Sequence, residues 1–175
     1  MTRYVEHDLT VEIPGIPMAW KRAGRNMKRG IIYVDSAVQE AKGVVAMSVK
    51  KAVMDAHLDV VLPLQDGPVE MTMVFMCQAS KMMGLRKAKR IEMLDVIRKL
   101  DEAEIYDWQR LEEPAIMKTT VPDCDNFAKL VLDACNGILY RDDRQVSGFS
   151  VKKRLSNRPR TIIVVKIFEK IAERR

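Results

Sequence analysis

The chain is poor in the side chains that many enzyme sites are built from. Only two histidines, His7 and His57, occur in 175 residues, and they lie far apart. That argues against a histidine-led metal site and against a Ser/His/Asp triad. Cys77, Cys124 and Cys135 are odd in number and fit no zinc spacing, so they read as reduced thiols. No apolar run approaches the roughly 20 residues of a membrane span. The opening "MTRYVEHDLT" has no apolar signal core, so a cytoplasmic protein with no membrane partner is expected. There is no internal repeat and no low-complexity linker.

What is present is ordinary in bulk and uneven in detail. Hydrophobic residues make up 47% and charged residues 31%, and the length suits one domain with a real core. The net charge of +6 and the pI near 9.3 favour a polyanionic partner. The basic residues cluster. Residues 21–29 "KRAGRNMKR", 81–90 "KMMGLRKAKR" and 152–160 "KKRLSNRPR" each hold five of them and no acid. One such run is ordinarily a solvated face, but three around one acidic cluster point to phosphate contact.

The pattern of elements predicts an α+β domain, a mixed β-sheet with helices packed mainly on one face, filling residues 1–175. Leu9, Val11 and Ile13 alternate as a strand ending at "PGIP", followed by a basic loop from Lys21 to Gly30. "IIYV" (31–34) reads as a short strand. Ser36 and Gln39 have capping-box spacing, and Val38, Ala41, Val45, Val49, Ala52 and Ala56 predict an amphipathic helix over 37–57. Val69, Met71, Met73 and Phe75 alternate in a further strand. Residues 81–113 read as a charged helical excursion, with Ile91, Leu94, Ile97 and Leu100 at helical spacing. Asp125 is expected to cap a helix from Asn126 to about Cys135, its buried face Phe127, Leu130, Val131 and Ala134, with Gly137 just past its end. Val146, Phe149 and Val151 suggest a strand. "TIIVVKIF" (161–168) is apolar on both faces, as in a central strand.

Against the basic background, "VPDCDNFAKLVLDACNGILYRDDRQV" (121–146) gathers five aspartates. Asp123 and Asp125 sit two apart on a segment expected to be extended, which would point both carboxylates one way. Such a pair needs a cation nearby to stay ionised. Asp142 and Asp143 follow the same helix and join the first pair only if 137–141 runs back along it. Converged, these acids would offer hard oxygen ligands suited to Mg²⁺ or Mn²⁺. Lys129, one turn after Asp125, could then face a scissile phosphate. Taken singly, each part has a plainer reading: a helix cap for D-x-D, a solvated turn for "DDR", a surface ion pair for Lys129.

The combination over 122–146, with "IPGIPMAWKR" (13–22), resembles the RusA-like Holliday junction resolvases. The resemblance implies a metal-dependent endonuclease that cuts four-way and related branched DNA in recombination and repair. It implies a homodimer, a Mg²⁺ or Mn²⁺ cofactor, and a phage or prophage setting. Its metal-binding acids fall on Asp123, Asp125 and Asp143, with Asp142 as a neighbouring substitute, and its active-site lysine on Lys129. Lys21, Arg22, Arg25, Lys118, Lys152 and Lys153 are expected to hold backbone phosphates, a salt-dependent and largely sequence-independent contact. Val121 stands where a basic residue often precedes the Pro-Asp, and the pattern gives no role to 81–113. Two other readings remain: a non-catalytic branched-DNA-binding protein on the same scaffold, and a D-x-D sugar-nucleotide transferase, for which the chain is short and lacks a nucleotide-binding glycine pattern.

Overall fold

A computed structural model describes residues 3–21, 24–26, 31–33, 35–79, 94–95, 97–98 and 117–171, with only the backbone described at 24–26 and 31–33. Alternation along the chain produces a four-stranded sheet. β1 (Arg3–Pro14) turns Leu9, Val11 and Ile13 inward and exposes most residues between them. A short hairpin follows, β2 (Gly24–Asn26) antiparallel to β3 (Ile31–Tyr33). The second of these strands is the expected one; its partner lies within the stretch read as a basic loop.

α1 spans Ser36–Ala56 and buries Val38, Val45 and Val49, while Ala56 is exposed and ends the stripe. Its cap differs from the expected capping box. Asp35, one residue before Ser36, accepts a hydrogen bond from the Ala37 amide at 2.9 Å. An aspartate carboxylate at that position satisfies an otherwise orphaned helix donor, so Ser36 enters the helix instead.

β4 (Val69–Gln78) buries Val69, Met71, Met73 and Phe75 against the main core, and Val74 and Met76 on its other face. α2 (Cys124–Cys135) buries Phe127, Leu130, Val131 and Ala134, and the Phe127 ring stacks on Phe75 with centroids 4.5 Å apart. β5 (Val146–Ser156) and β6 (Arg160–Ile171) complete the sheet in the order β1-β6-β4-β5. β6 is antiparallel to both its neighbours, whereas β5 runs parallel to β4. A parallel pair needs a crossover, and α2 lies in that connection. β6 buries Ile163, Val165 and Ile167 on one face and Ile162 on the other, as a central strand should. α1 and α2 pack on one another and on the same sheet face, so the fold is the expected α+β arrangement.

Of the charged excursion at 81–113, residues 94–95 and 97–98 are helical, Ile97 is buried, and Arg98 pairs with Asp95 at 2.7 Å. The rest lies outside the described residues. Among the described residues no helix is long and apolar enough to cross a membrane.

Candidate active site

α2 starts two residues earlier than the sequence predicts. Asp123 occupies the capping position with extended dihedrals (φ −76°, ψ 157°), and its carboxylate makes no capping bond. The Phe127 amide reaches the Asp123 carbonyl at 3.3 Å and closes the first turn. Cys124 and Asp125 are therefore already helical, and the two acids do not share one extended segment. Both are exposed, and neither carboxylate has a hydrogen-bond or ion-pair partner among the described residues. The positive end of the helix dipole, worth roughly half a charge, eases this pair without neutralising it.

Lys129 follows one turn later. Its ammonium lies 5.2 Å from the Trp20 ring centroid and 3.8 Å from an Asp133 carboxylate oxygen. The Trp20 amide donates to the Asn126 carbonyl at 2.8 Å, which ties the segment after β1 to α2. Lys129 is thus held by a cation–π contact and an i,i+4 ion pair, leaning towards the C-terminal half of the helix. Trp20 is the residue that sequence reasoning leaves without a role here, whereas the Lys129–Asp133 pair is a form of the plainer surface-ion-pair reading of Lys129. The signal for Trp20 was its place in "IPGIPMAWKR".

The second pair of acids does not run back to join the first. Ile138 and Leu139 both donate to the Cys135 carbonyl at 3.0 Å, and Gly137, at φ +74°, donates to the Tyr140 carbonyl at 2.7 Å. Residues 137–140 form a tight turn in place of an extended return. The buried Tyr140 hydroxyl fixes it by donating to the Leu132 carbonyl at 2.9 Å, one of the last four in the helix. Burial pushes the Tyr140 phenol well up, and the negative groups at Cys135, Asp143 and Asp133 add to the push. Asp143 therefore lies by the end of α2 that carries Asp133. A 12-residue helix is about 18 Å long. β5 gives the same scale. Lys153 bonds the Pro122 carbonyl at 2.7 Å, seven residues along that strand from Val146. At about 3.3 Å per residue that is a span of roughly 23 Å.

Carboxylates are the right donors for Mg²⁺. Yet among the described residues no three acids, histidines or cysteines gather closely enough to hold a metal ion. The described residues of one chain do not by themselves fit the ion.

Asp142 and Asp143 are not equivalent. Asp142 caps the short 3₁₀ turn Asp143–Gln145, accepting from the Arg144 amide at 3.1 Å, and pairs with the Arg144 side chain at 3.6 Å. It lines a polar cavity of about 550 Å³ with Tyr4, Asp66, Arg141, Arg144 and Ser147. Asp143 is exposed and has no such partner among the described residues. Gln145 holds the segment from below, donating to the carbonyls of Leu64 and Gly67 at 3.1 and 3.3 Å.

The basic residues divide as well. Lys21 pairs with Asp35 at 3.2 Å, and this bond, with that from Ala37, holds the Asp35 carboxyl below its usual range. Lys118 and Lys153 bond to main-chain carbonyls before α2. Lys152 has interactions of its own. Arg22 and the Arg25 side chain lie outside the described residues.

Over 58 residues, a third of the chain, the sequence is 38% identical to the Uncharacterized protein YqaN of Bacillus subtilis (strain 168). That match spans 41% of YqaN. A much longer match is to the family Endodeoxyribonuclease RusA, over residues 14–166. It takes in β1's last residue, both helices, β4, β5 and the first half of β6, and with them all five aspartates of the cluster. On that coverage, this chain belongs to the RusA endodeoxyribonuclease family.

Proposed function

We propose that the protein is a Mg²⁺- or Mn²⁺-dependent endonuclease that resolves Holliday junctions and related branched DNA. The observation that carries this reading is the family match over 14–166 with the Asp123–Asp125 pair in place at the N-terminus of α2, exposed and without a partner among the described residues. Asp123, Asp125 and Asp143 would hold the metal; Asp142, already engaged as a cap, is the weaker choice. When bound, a divalent ion supplies Lewis acidity and an activated water at neutral pH. The chain's own contribution is positional. Trp20 and Asp133 fix the Lys129 ammonium, which places positive charge where a phosphate oxygen becomes more negative during hydrolysis. Lys21, Arg22, Arg25 and Lys152 would hold flanking backbone.

The protein would act as a homodimer, and the placement of its acids gives that a reason. Asp123 and Asp125 lie at one end of α2 and Asp143 at the other. A complete ligand set is then formed between two copies, the first pair from one and Asp143 from the other.

The separation of the acids favours a second reading, a non-catalytic branched-DNA-binding protein. A synthetic four-way junction with Mg²⁺ distinguishes the two. The endonuclease nicks it, and Asp125→Asn abolishes nicking while junction binding persists. Normal cutting by Asp125→Asn would refute the site assignment. Tight junction binding with no nick under Mg²⁺ or Mn²⁺ would favour the binder.

A further inference from the structure

Lys118 and Lys153 stand among the expected DNA contacts, yet their ammonium groups turn into the chain. Lys118 donates to the carbonyls of Thr120 and Val121, at 2.9 and 2.6 Å, and to the Thr120 hydroxyl. Lys153 donates to the carbonyls of Thr120 and Pro122, at 2.9 and 2.7 Å. The two segments are also joined through the backbone, the Lys118 amide donating to the Lys153 carbonyl at 3.2 Å and Met117 bridging to Arg154.

An ammonium has three donors and no acceptor. All three of Lys118's are used on residues 120 and 121, and two of Lys153's on residues 120 and 122. A DNA phosphate could recruit Lys118 only by breaking one of these bonds. Both lysines reach the same Thr120 oxygen, so their nitrogens are no farther apart than twice 2.9 Å. Neither has a carboxylate partner among the described residues. Burial lowers the Lys118 pKa; the nearby Cys77 thiol works against this, and Lys153 adds to it. Like charges are brought together here on one shared carbonyl, that of Thr120, and the three residues the two lysines hold, Thr120, Val121 and Pro122, lead directly into Asp123.

We infer that Lys118 and Lys153 are positioning residues: they clasp the 120–122 segment and so fix the entry to α2 that places Asp123 and Asp125. This rests on the endonuclease reading above. It reassigns two residues from DNA grip to orientation of the acids, the kind of outer support whose loss typically costs 10–100-fold in metal affinity.

The experiment compares wild type with Lys153→Met and Lys118→Met, each first checked for a cooperative thermal melt. Three quantities are read: the salt dependence of junction binding without metal, the Mg²⁺ concentration for half-maximal nicking, and backbone amide exchange over 118–127. Positioning predicts an unchanged salt slope, a Mg²⁺ requirement raised about tenfold or more, and faster exchange in this segment. A phosphate contact predicts the reverse: the log–log salt slope shrinks by about 0.9 per lysine, with the Mg²⁺ requirement unchanged. That second pattern overturns the inference. If Lys153→Met does not fold, the same readings on Lys118→Met decide. If the wild-type protein nicks no junction under any divalent ion, the endonuclease reading itself fails and takes the inference with it. That outcome is recognisable because it appears before any lysine is changed.

Discussion

The placement of acids at both ends of α2 can be tested by mixing two inactive variants. Two ligands of one Mg²⁺ ion, each bound at 2.0–2.1 Å, are at most about 4 Å apart. The helix separates Asp123 and Asp125 from Asp143 on the scale of its own length, about 18 Å. Rotating an aspartate side chain moves its oxygens by only a few ångströms, so the gap demands either a second copy or a rebuilt turn at 137–140. Asp125→Asn and Asp143→Asn should each be inactive alone. Co-expressed with different tags and purified through both, they give a heterodimer. If each site takes its acids from two copies, one site of that heterodimer carries both substitutions and the other carries none, by the two-fold symmetry of the pair. Nicking of one strand of a four-way junction should then recover to about half the wild-type rate per dimer, with paired cuts absent. If a site is built within one chain, each of its two sites carries one lesion and nothing is recovered. A silent heterodimer that still binds junction would refute the shared site.

Other outcomes follow from single contacts. Lys129→Met should lower the nicking rate by about 10²–10³-fold at saturating DNA, with junction affinity little changed; an unaltered rate would remove Lys129 from the chemistry. Phe127→Ala empties a fully buried, stacked position and should destabilise by about 3–5 kcal/mol, read as a urea midpoint shift; a change below about 1 kcal/mol would show that α2 is not anchored there. Burial raises the Cys135 thiol from 9.0 to about 12. The unfolded chain therefore releases this proton first, and stability is full below the unfolded value and falls as pH rises through it, at about 1.4 kcal/mol per unit. Between pH 8 and 10.5, urea melts of Cys135→Ala should lose less stability than wild type; parallel curves would refute the burial argument.

Much of the fold was legible because it rests on local periodicity. The two-residue alternation of β1 and β4, the double-sided run in β6 and the apolar stripes of α1 and α2 are each set by neighbours in sequence. Helix starts were less legible, for a physical reason. Capping is a competition between adjacent acceptors, and a carboxylate one residue earlier can win. Asp35 displaced the Ser36 box in this way. Asp123, extended after Pro122, took the capping position expected of Asp125. β2 was hidden because Gly24–Asn26 has no apolar alternation to reveal it, only backbone pairing with Ile31–Tyr33.

The candidate site was legible in its parts and not in its assembly. Spacing correctly placed Lys129 on α2 after Asp125, but the lysine's direction is set by Trp20, more than a hundred residues earlier in the chain, and by Asp133. Whether Asp143 rejoined Asp123 depended on the path of 137–141, which the sequence reading needed to be extended. Gly137 in the left-handed region, two amides on the Cys135 carbonyl and the Tyr140 hydroxyl on Leu132 together select the turn. Each is a modest interaction, about 0.5–1.5 kcal/mol for a single hydrogen bond. Acting together, they hold Asp143 by the end of α2 opposite Asp123 and Asp125. The same economy appears at the other end of α2, where the partly exposed Lys118 and Lys153 spend their donors on main-chain carbonyls. In both places main-chain hydrogen bonds decide where the charged groups can act.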